Sequence, residues 1–541
     1  MYPAERHSPL MKFAAPRSGG RELSFSSIKV CCDALRTCTG DPVSVSAMSL
    51  SSVGAPRSIV DLPGPSRLPV LGNTHQVRLE RLHLTVEQWC ERYGPIFRFD
   101  LGPRRVVAVS DLEEINAILR NRPEGFRRWR EVQTVFAEMG VSGVFSEEGD
   151  AWRRQRRLSV TALNSNYLQR YFHIIRTATE RLHHRLKDAA RDEQALDIVG
   201  ELTSLTVDVT SALAFGHDLN TLERRDNELQ DHIQRTFAML SRRILAPVPY
   251  WRWVRLPADR ALERSLVYLH RAVEEFIAQA RERMASLPGL REAPENFLEA
   301  MLAAQQAEGT FTDEEIIGNV FTLLLAGEDT TAHTMGWTLW FLASRPEIQN
   351  RWANEAREVL GEHLFPADYE TIECLSYGEA VLRESMRLKP VAVAIALESL
   401  ADTTIAGTHI PAGTRLWLPA RHAGVGAVQR GNEFDPERWL NDDPAGAAPD
   451  QKSFLAFGAG PRFCPGRNLA FLQAKTAMAM LARNFELELD QTNGPVTELL
   501  SFTMIPKGLR VRLRDRTSQK SIRSRQSSNG TPERCPRTAK Q

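Results

Sequence analysis

The segment from Phe311 to Ser344 constrains the fold of this chain more than any other stretch. It is long and largely apolar, opens on Thr312-Asp-Glu-Glu315 and stops just before Pro346. Threonine followed three residues later by glutamate is a capping box, and the proline ends the helix because it has no N–H to donate. The spacing predicts one long helix. With so few charges to show to water, that helix has to be buried. Near its middle stands Ala326-Gly327-Glu328-Asp329-Thr330-Thr331. Ala326, Gly327 and Thr330 fall at i, i+1 and i+4 and share a face on which two minimal side chains flank one hydroxyl. Structural explanations stand beside any functional one: glycine permits close packing, and threonine can bond back to the carbonyl one turn earlier.

Further along, Phe457-Gly-Ala-Gly460-Pro-Arg462-Phe-Cys464-Pro-Gly466 places one cysteine in a glycine-framed loop immediately before a helix-like run, Arg467 to Leu481. Gly458, Gly460 and Gly466 permit dihedrals other residues avoid, so amide N–H groups can turn toward the Cys464 sulfur. The helix N-terminus adds positive dipole there, and both effects favour thiolate over thiol. Arg462 lies two residues away, and no histidine or second cysteine is adjacent. That suits an axial ligand to haem iron better than a nucleophile or a zinc site; a buried structural cysteine is the alternative.

This loop resembles the haem-binding loop of the cytochrome P-450 family, F-x-x-G-x-R-x-C-x-G, at Phe457, Gly460, Arg462, Cys464 and Gly466. The resemblance runs from about Leu62 to about Arg514 and implies a mainly α fold with small β-sheets, haem b lying between the long central helix and the helix of the cysteine loop. By that likeness Cys464 ligates iron, Arg462 faces a haem propionate and Phe457 packs near the thiolate. Ala326 to Thr330 is similar to the family's A/G-G-x-D/E-T/S. There Ala326 and Gly327 leave room for dioxygen, Thr330 handles it and Asp329 relays protons.

Trp152-Arg-Arg-Gln-Arg156 resembles the family's W-x-x-x-R. Its indole and guanidinium share a helix face and are pure donors, as two propionates require. Arg153, Arg154 and Arg157 read as a solvated basic face. In the family this helix borders the surface where the electron donor docks, so with Arg467 and Lys475 they are candidates for a landing patch. Glu384-Ser-Met-Arg387, on a helix Tyr377–Lys389 capped by Ser376 and stopped by Pro390, resembles the family's buried pair, with Arg438 as third partner. Burying two cations and one carboxylate is tolerable only with complete, bidentate bonding, so the triad is structural.

Two departures stand out. Where many members carry a propionate-binding arginine beyond Pro390, this chain has Glu398 and no arginine until Arg415. The connection from His422 to Phe434 is short, and Arg421 or His422 is a candidate for the missing contact.

Between the motifs, Leu79–Arg92, Leu112–Arg120, Tyr167–Asp192, Gln194–Ala214, Asn227–Leu245 and Arg260–Ala285 read as helices. Ile96–Leu101 and Arg105–Val109 read as a hairpin, and Thr404–Ile410, Arg415–Leu418 and Leu509–Leu513 as late strands. Phe126–Phe145 reads as a loop-rich connection, which the family resemblance implies would roof the substrate pocket. Because motifs from Trp152 to Cys464 must meet at one cofactor, residues 61–515 are one domain. Residues 1–60 and the basic stretch 516–541 read as disordered extensions; Met48 is an alternative start, and a targeting peptide is opposed by four acidic residues. Seven scattered cysteines suggest a reducing compartment. No run of about 20 apolar residues offers an anchor, and a formal charge of +1 argues against nucleic acid.

The expectation is a soluble, cytoplasmic, monomeric haem-thiolate monooxygenase. It would insert one atom of O2 into a lipophilic substrate, taking NAD(P)H electrons through a ferredoxin or flavodoxin-like donor and its reductase, since no flavin or iron–sulfur domain is recognisable. The alternatives are a peroxide-using or isomerising haem-thiolate enzyme, or a haem sensor or ligand carrier.

Overall fold

The computed structural model describes residues 57–224, 228–309, 311–440 and 452–516. The readings on residues 1–56 and beyond Arg516 lie outside them.

The capping box forms as its sequence requires. The Thr312 hydroxyl accepts from the Glu315 N–H, and the Glu315 carboxylate accepts from the Thr312 N–H, both at 3.2 Å. The helix it starts is not continuous, however. It runs as Asp313–Gly327 and resumes as Asp329–Ala343, interrupted at Glu328. Two hydroxyls explain the break. Thr330 Oγ1 donates to the Ala326 carbonyl at 2.6 Å, and Thr206 Oγ1 donates to the Glu328 carbonyl at 2.9 Å. Side-chain donors that compete for helix carbonyls bend or interrupt the ladder.

Against this pair packs Ile198–Phe215, a helix capped by Asp197 and long and apolar enough to cross a membrane. Most of it is buried inside the protein, so it serves as a core helix. The cysteine helix, Arg467–Asn484, is buried nearly all round among Ser165–Arg191, Pro346–Leu360 and Ser376–Leu388. The fold is therefore α-rich, as expected.

The main sheet has five strands in the order Ile96–Leu101, Arg104–Val109, Arg415–Leu418, Ile395–Ser399, Phe126–Arg128. The first two form the expected antiparallel hairpin, and Arg415–Leu418 joins parallel to the second. Several boundaries differ from the sequence reading. Phe126–Phe145 is no simple loop: it contributes the edge strand Phe126–Arg128 and the helix Arg130–Glu138. Thr404–Ile410 is two paired strands that turn at Ala406 and Gly407, both with positive φ. The ordered body also begins before residue 61, because Arg57–Ser58 pairs in parallel with Thr408–Ile410. At the other end Arg516 is tied in, donating to the Phe485 carbonyl at 2.9 Å.

Candidate active site around Cys464

The cysteine loop is closed by its own backbone. The Cys464 N–H donates to the Phe457 carbonyl and the Phe463 N–H to the Gly460 carbonyl, both at 3.0 Å. Gly460 is required twice over: its φ is +68°, and a Cβ there would fall 2.3 Å from the Leu119 carbonyl oxygen. Gly466 differs from expectation, since its φ of −82° is ordinary. Its part is to open the helix Arg467–Asn484 and to donate, with Arg467, an N–H to the Cys464 sulfur. Burial pushes the Cys464 thiol up. The two N–H groups and the charges of Arg156 and Arg128 oppose that push. The Phe457 ring lies against Phe471, 5.6 Å between centroids.

Beside this sulfur the fold gathers four guanidinium groups: Arg128 and Arg156 act on the sulfur, and Arg122, Arg128 and Arg462 share one carboxylate, Glu148. Arg462 bonds to Glu148 and, at 2.8 Å, to the Glu147 carbonyl. Its guanidinium lies 4.3 Å from the Trp152 ring centroid. Arg156 donates to the Phe463 carbonyl, so the basic helix Gly149–Ala162 reaches the cysteine loop directly. Arg128 donates to the Phe145 carbonyl at 2.9 Å, and its backbone N–H to Glu148 at 3.0 Å. Burial pushes Arg122 down to about 8, and Arg128 and Arg462 push the same way. Arg122 Nε and Nη2 and Arg462 Nε and Nη1 are buried without a hydrogen-bond partner. Buried donors of this kind demand an acceptor.

The broken central helix carries the other predicted residues. Ala326 is exposed, and Thr330 lies one turn on, its hydroxyl hydrogen committed to the Ala326 carbonyl. Gly327 points elsewhere: a Cβ there would lie 2.6 Å from Thr210 Oγ1, so its small size serves contact with Ile198–Phe215. Burial pushes Asp329 up to about 6. His333, one turn after Thr330, is pushed down to about 4 by burial and bonds to the Thr503 hydroxyl at 2.9 Å. Aromatic rings collect here. Phe502, next to Thr503, is 5.7 Å from both Phe145 and Phe237, and Phe145 is 5.5 Å from Phe136. The Val144 N–H donates to Asn319 on the central helix, which pins Phe145 in place.

Glu384, Arg387 and Arg438 meet in the core. Arg387 grips Glu384 through two nitrogens at 2.9 and 2.8 Å; Arg438, the Asp435 N–H and the Trp439 indole complete its carboxylate. The helix carrying them, Ser376–Leu388, is not capped by Ser376. Glu355 accepts from the Tyr377 and Gly378 N–H groups instead.

Other expectations are corrected. Glu398 faces away from the arginine cluster and pairs with Arg130 at 3.2 Å. Arg421 is held by Glu87 and Glu498, and His422 lies 3.6 Å from Glu91, so neither supplies the missing propionate contact. Arg128 stands closer to that role: it sits in register with Leu397, the residue before Glu398. Lys475 is buried and bound to Glu379 at 3.0 Å, which removes it from any docking surface. Sequence reasoning missed Arg122, Arg128 and Glu148. No local pattern marks them, because they converge only through strand pairing and the loop that follows.

Haem fits this arrangement. Two propionates would satisfy the unpartnered guanidinium nitrogens, and a sulfur receiving two N–H groups is a thiolate seat. The Trp152 ring, against the Arg462 guanidinium, stands in the same cluster.

Comparison with known proteins agrees. The cytochrome P450 family profile matches residues 62–513. The chain is 25% identical to the protein LUTEIN DEFICIENT 5, chloroplastic, of Arabidopsis thaliana, over 88% of this chain and 82% of that one. It is 27% identical to cytochrome P450 4V2 of Homo sapiens, over 74% and 78% respectively. It is 24% identical to cytochrome P450 97B2, chloroplastic, of Glycine max, over 81% and 84%. At these distances single identities decide little, but a match along the whole body, joined to a thiolate seat beside an anion-seeking cluster, decides the matter: this chain belongs to the cytochrome P450 family of haem-thiolate monooxygenases.

Proposed function

We propose that the enzyme inserts one atom of O2 into a lipophilic small molecule. Its electrons would come from NAD(P)H through a separate ferredoxin or flavodoxin-like donor, and it would work as a cytoplasmic monomer. The observation that carries the substrate class is the aromatic wall of Phe136, Phe145, Phe237 and Phe502, held beside Thr330 by the His333–Thr503 and Asn319–Val144 hydrogen bonds. Such a wall favours apolar ligands and keeps water from the reacting atoms.

When bound through Cys464, haem supplies the oxygen chemistry, its thiolate ligand favouring O–O cleavage. Trp152, Arg122, Arg128, Arg156 and Arg462 would hold the propionates. Thr330 keeps its lone pairs available as acceptors, because its proton goes to Ala326. Asp329, raised toward neutrality, both holds and releases a proton near physiological pH. Arg153 and Arg157 are exposed on the helix that reaches the cysteine loop, Arg153 paired there with Asp150 and Glu124, and Arg120 is exposed beside Gly460; an acidic donor would be steered there.

The test combines three measurements. Reduced holoprotein with carbon monoxide should show the strongly red-shifted Soret band of thiolate ligation, absent in Cys464→Ala. Fatty acids, terpenes, steroids and aromatics should be screened for displacement of the iron's water ligand. A hit should then be oxidised with a ferredoxin–reductase pair. Binding without product would favour the sensor reading, and product from peroxide alone the peroxide-using one.

A further inference from the structure

Glu328 occupies the break in the central helix. It is 1% exposed, and neither carboxylate oxygen has a hydrogen-bond partner. The groups around it can be named. Asp329 is adjacent in the chain and acts on it as a like charge. From Ile198–Phe215, Thr206 binds its carbonyl, while Thr210 Oγ1, buried and also unpartnered, lies beside Gly327. From Glu228–Leu245, the Gln234 side chain lies against its carboxyl. Gln234 itself is exposed. Among the described residues no cation acts on the group. A carboxylate buried without a cation or donors is costly, and the group avoids that cost by binding a proton. Burial, and to a smaller extent Asp329, push it well above the usual carboxylate range.

We propose that Glu328 is a second proton-holding acid that resupplies Asp329, and that it is refilled from solvent past Gln234. The inference rests on the reading above that Asp329 is the group that holds and releases the proton used at oxygen. Its geometric basis is the position of the buried, unpartnered Glu328 carboxyl at the helix break, with the exposed Gln234 side chain against it, Asp329 next to it in the chain and acting on it electrostatically, and the unpartnered Thr210 hydroxyl at the same break. When Asp329 has given up its proton it is a carboxylate. The Glu328 O–H bond then breaks and an Asp329 O–H bond forms, leaving Glu328 as the carboxylate. Water at the Gln234 end reprotonates Glu328. One proton enters for each that leaves, and no electron moves.

Infrared difference spectra of the holoprotein test the proton-holding part without turnover. At pH 7 the wild type should show a protonated-carboxyl band that Glu328→Gln lacks. Transfer to D2O should shift the band, and Gln234→Leu should slow that shift severalfold. Asp329→Asn should leave the band but move its titration to lower pH. For the relay, Glu328→Gln should keep haem and ligand binding. Its ratio of product to reducing equivalents consumed should fall severalfold at pH 8, where protons are scarce, and approach wild type at pH 6. A packing defect would not follow pH in this way. Should Glu328→Gln fail to fold, Glu328→Asp and Gln234→Leu carry the same pH comparison. Absence of the band, or unchanged coupling at both pH values, overturns the proposal while leaving the monooxygenase reading intact. A wild type that makes no product sinks that reading instead, and the infrared band still decides whether Glu328 holds a proton.

Discussion

The Arg462 guanidinium lies over the Trp152 ring, 4.3 Å from its centroid, so residues of two widely separated motifs share one contact. Arg462 also neutralises Glu148. The ring, the carboxylate and the guanidinium therefore fix one another before any cofactor is considered.

Replacing Arg462 should break that unit. Arg462→Ala removes the main ion partner of the half-buried Glu148 carboxyl while Arg122 and Arg128 stay beside it, a loss of about 1–3 kcal/mol. Haem per protein, measured by pyridine haemochromogen, should fall with the melting temperature. Arg462→Lys should recover less than half of the loss, because an ammonium cannot reproduce the guanidinium fork.

The buried triad makes a similar prediction away from the cofactor. In Glu384→Gln one carboxylate no longer balances Arg387 and Arg438, each almost wholly buried. Destabilisation of about 3–5 kcal/mol is expected. Urea unfolding should show it in the midpoint, with an unchanged slope.

Gly318→Ala tests the pinning of the pocket loop. A Cβ at residue 318 would stand 1.6 Å from the Ser142 carbonyl oxygen, so the backbone leading to Phe145 has to move. Overpacking of this sort costs about 1–3 kcal/mol. Lipophilic ligands that shift the spin state of the wild type should bind the variant several times more weakly.

His333 gives a pH dependence with a defined sign. Its ordinary value of 6.5 is lowered to about 4 in the fold by burial, so the folded state binds the proton less readily than the unfolded chain. The contribution to stability is fully present above pH 6.5 and is lost as the pH falls toward 4, about 3 kcal/mol in all. Asp329 acts in the opposite sense. Raised from 3.8 to about 6, it favours the fold at low pH and costs stability as the pH rises across that interval. Melting temperatures from pH 4 to 8 should show a flatter acid limb in His333→Gln and a flatter rise-side loss in Asp329→Asn.

Surface and interior basic residues should separate in reduction kinetics. Arg153→Glu with Arg157→Glu should slow electron transfer from an acidic donor, mainly at low salt. Lys475→Ala, which removes one of the two partners of Glu379 and leaves Arg383, should lower stability and leave the salt dependence of reduction unchanged.

What the sequence determined by itself is local. The capping box at Thr312, the cysteine loop with its glycines at 458 and 460, the Glu384–Arg387 spacing and the hairpin at Gly102 each depend on a few neighbouring residues, whose sterics and hydrogen bonds are settled within a turn or two. Only the tertiary structure decided which distant charges meet. Arg128 and Arg122 join the cluster beside Cys464, while Glu398, Arg421 and Lys475 find other partners, because ion pairing follows from which strands and helices pack together. The break at Glu328 belongs to the same class. An apolar sequence of that length favours an unbroken helix, and it is a hydroxyl on another helix, Thr206, that helps draw one carbonyl out of line. The local pattern cannot contain that donor.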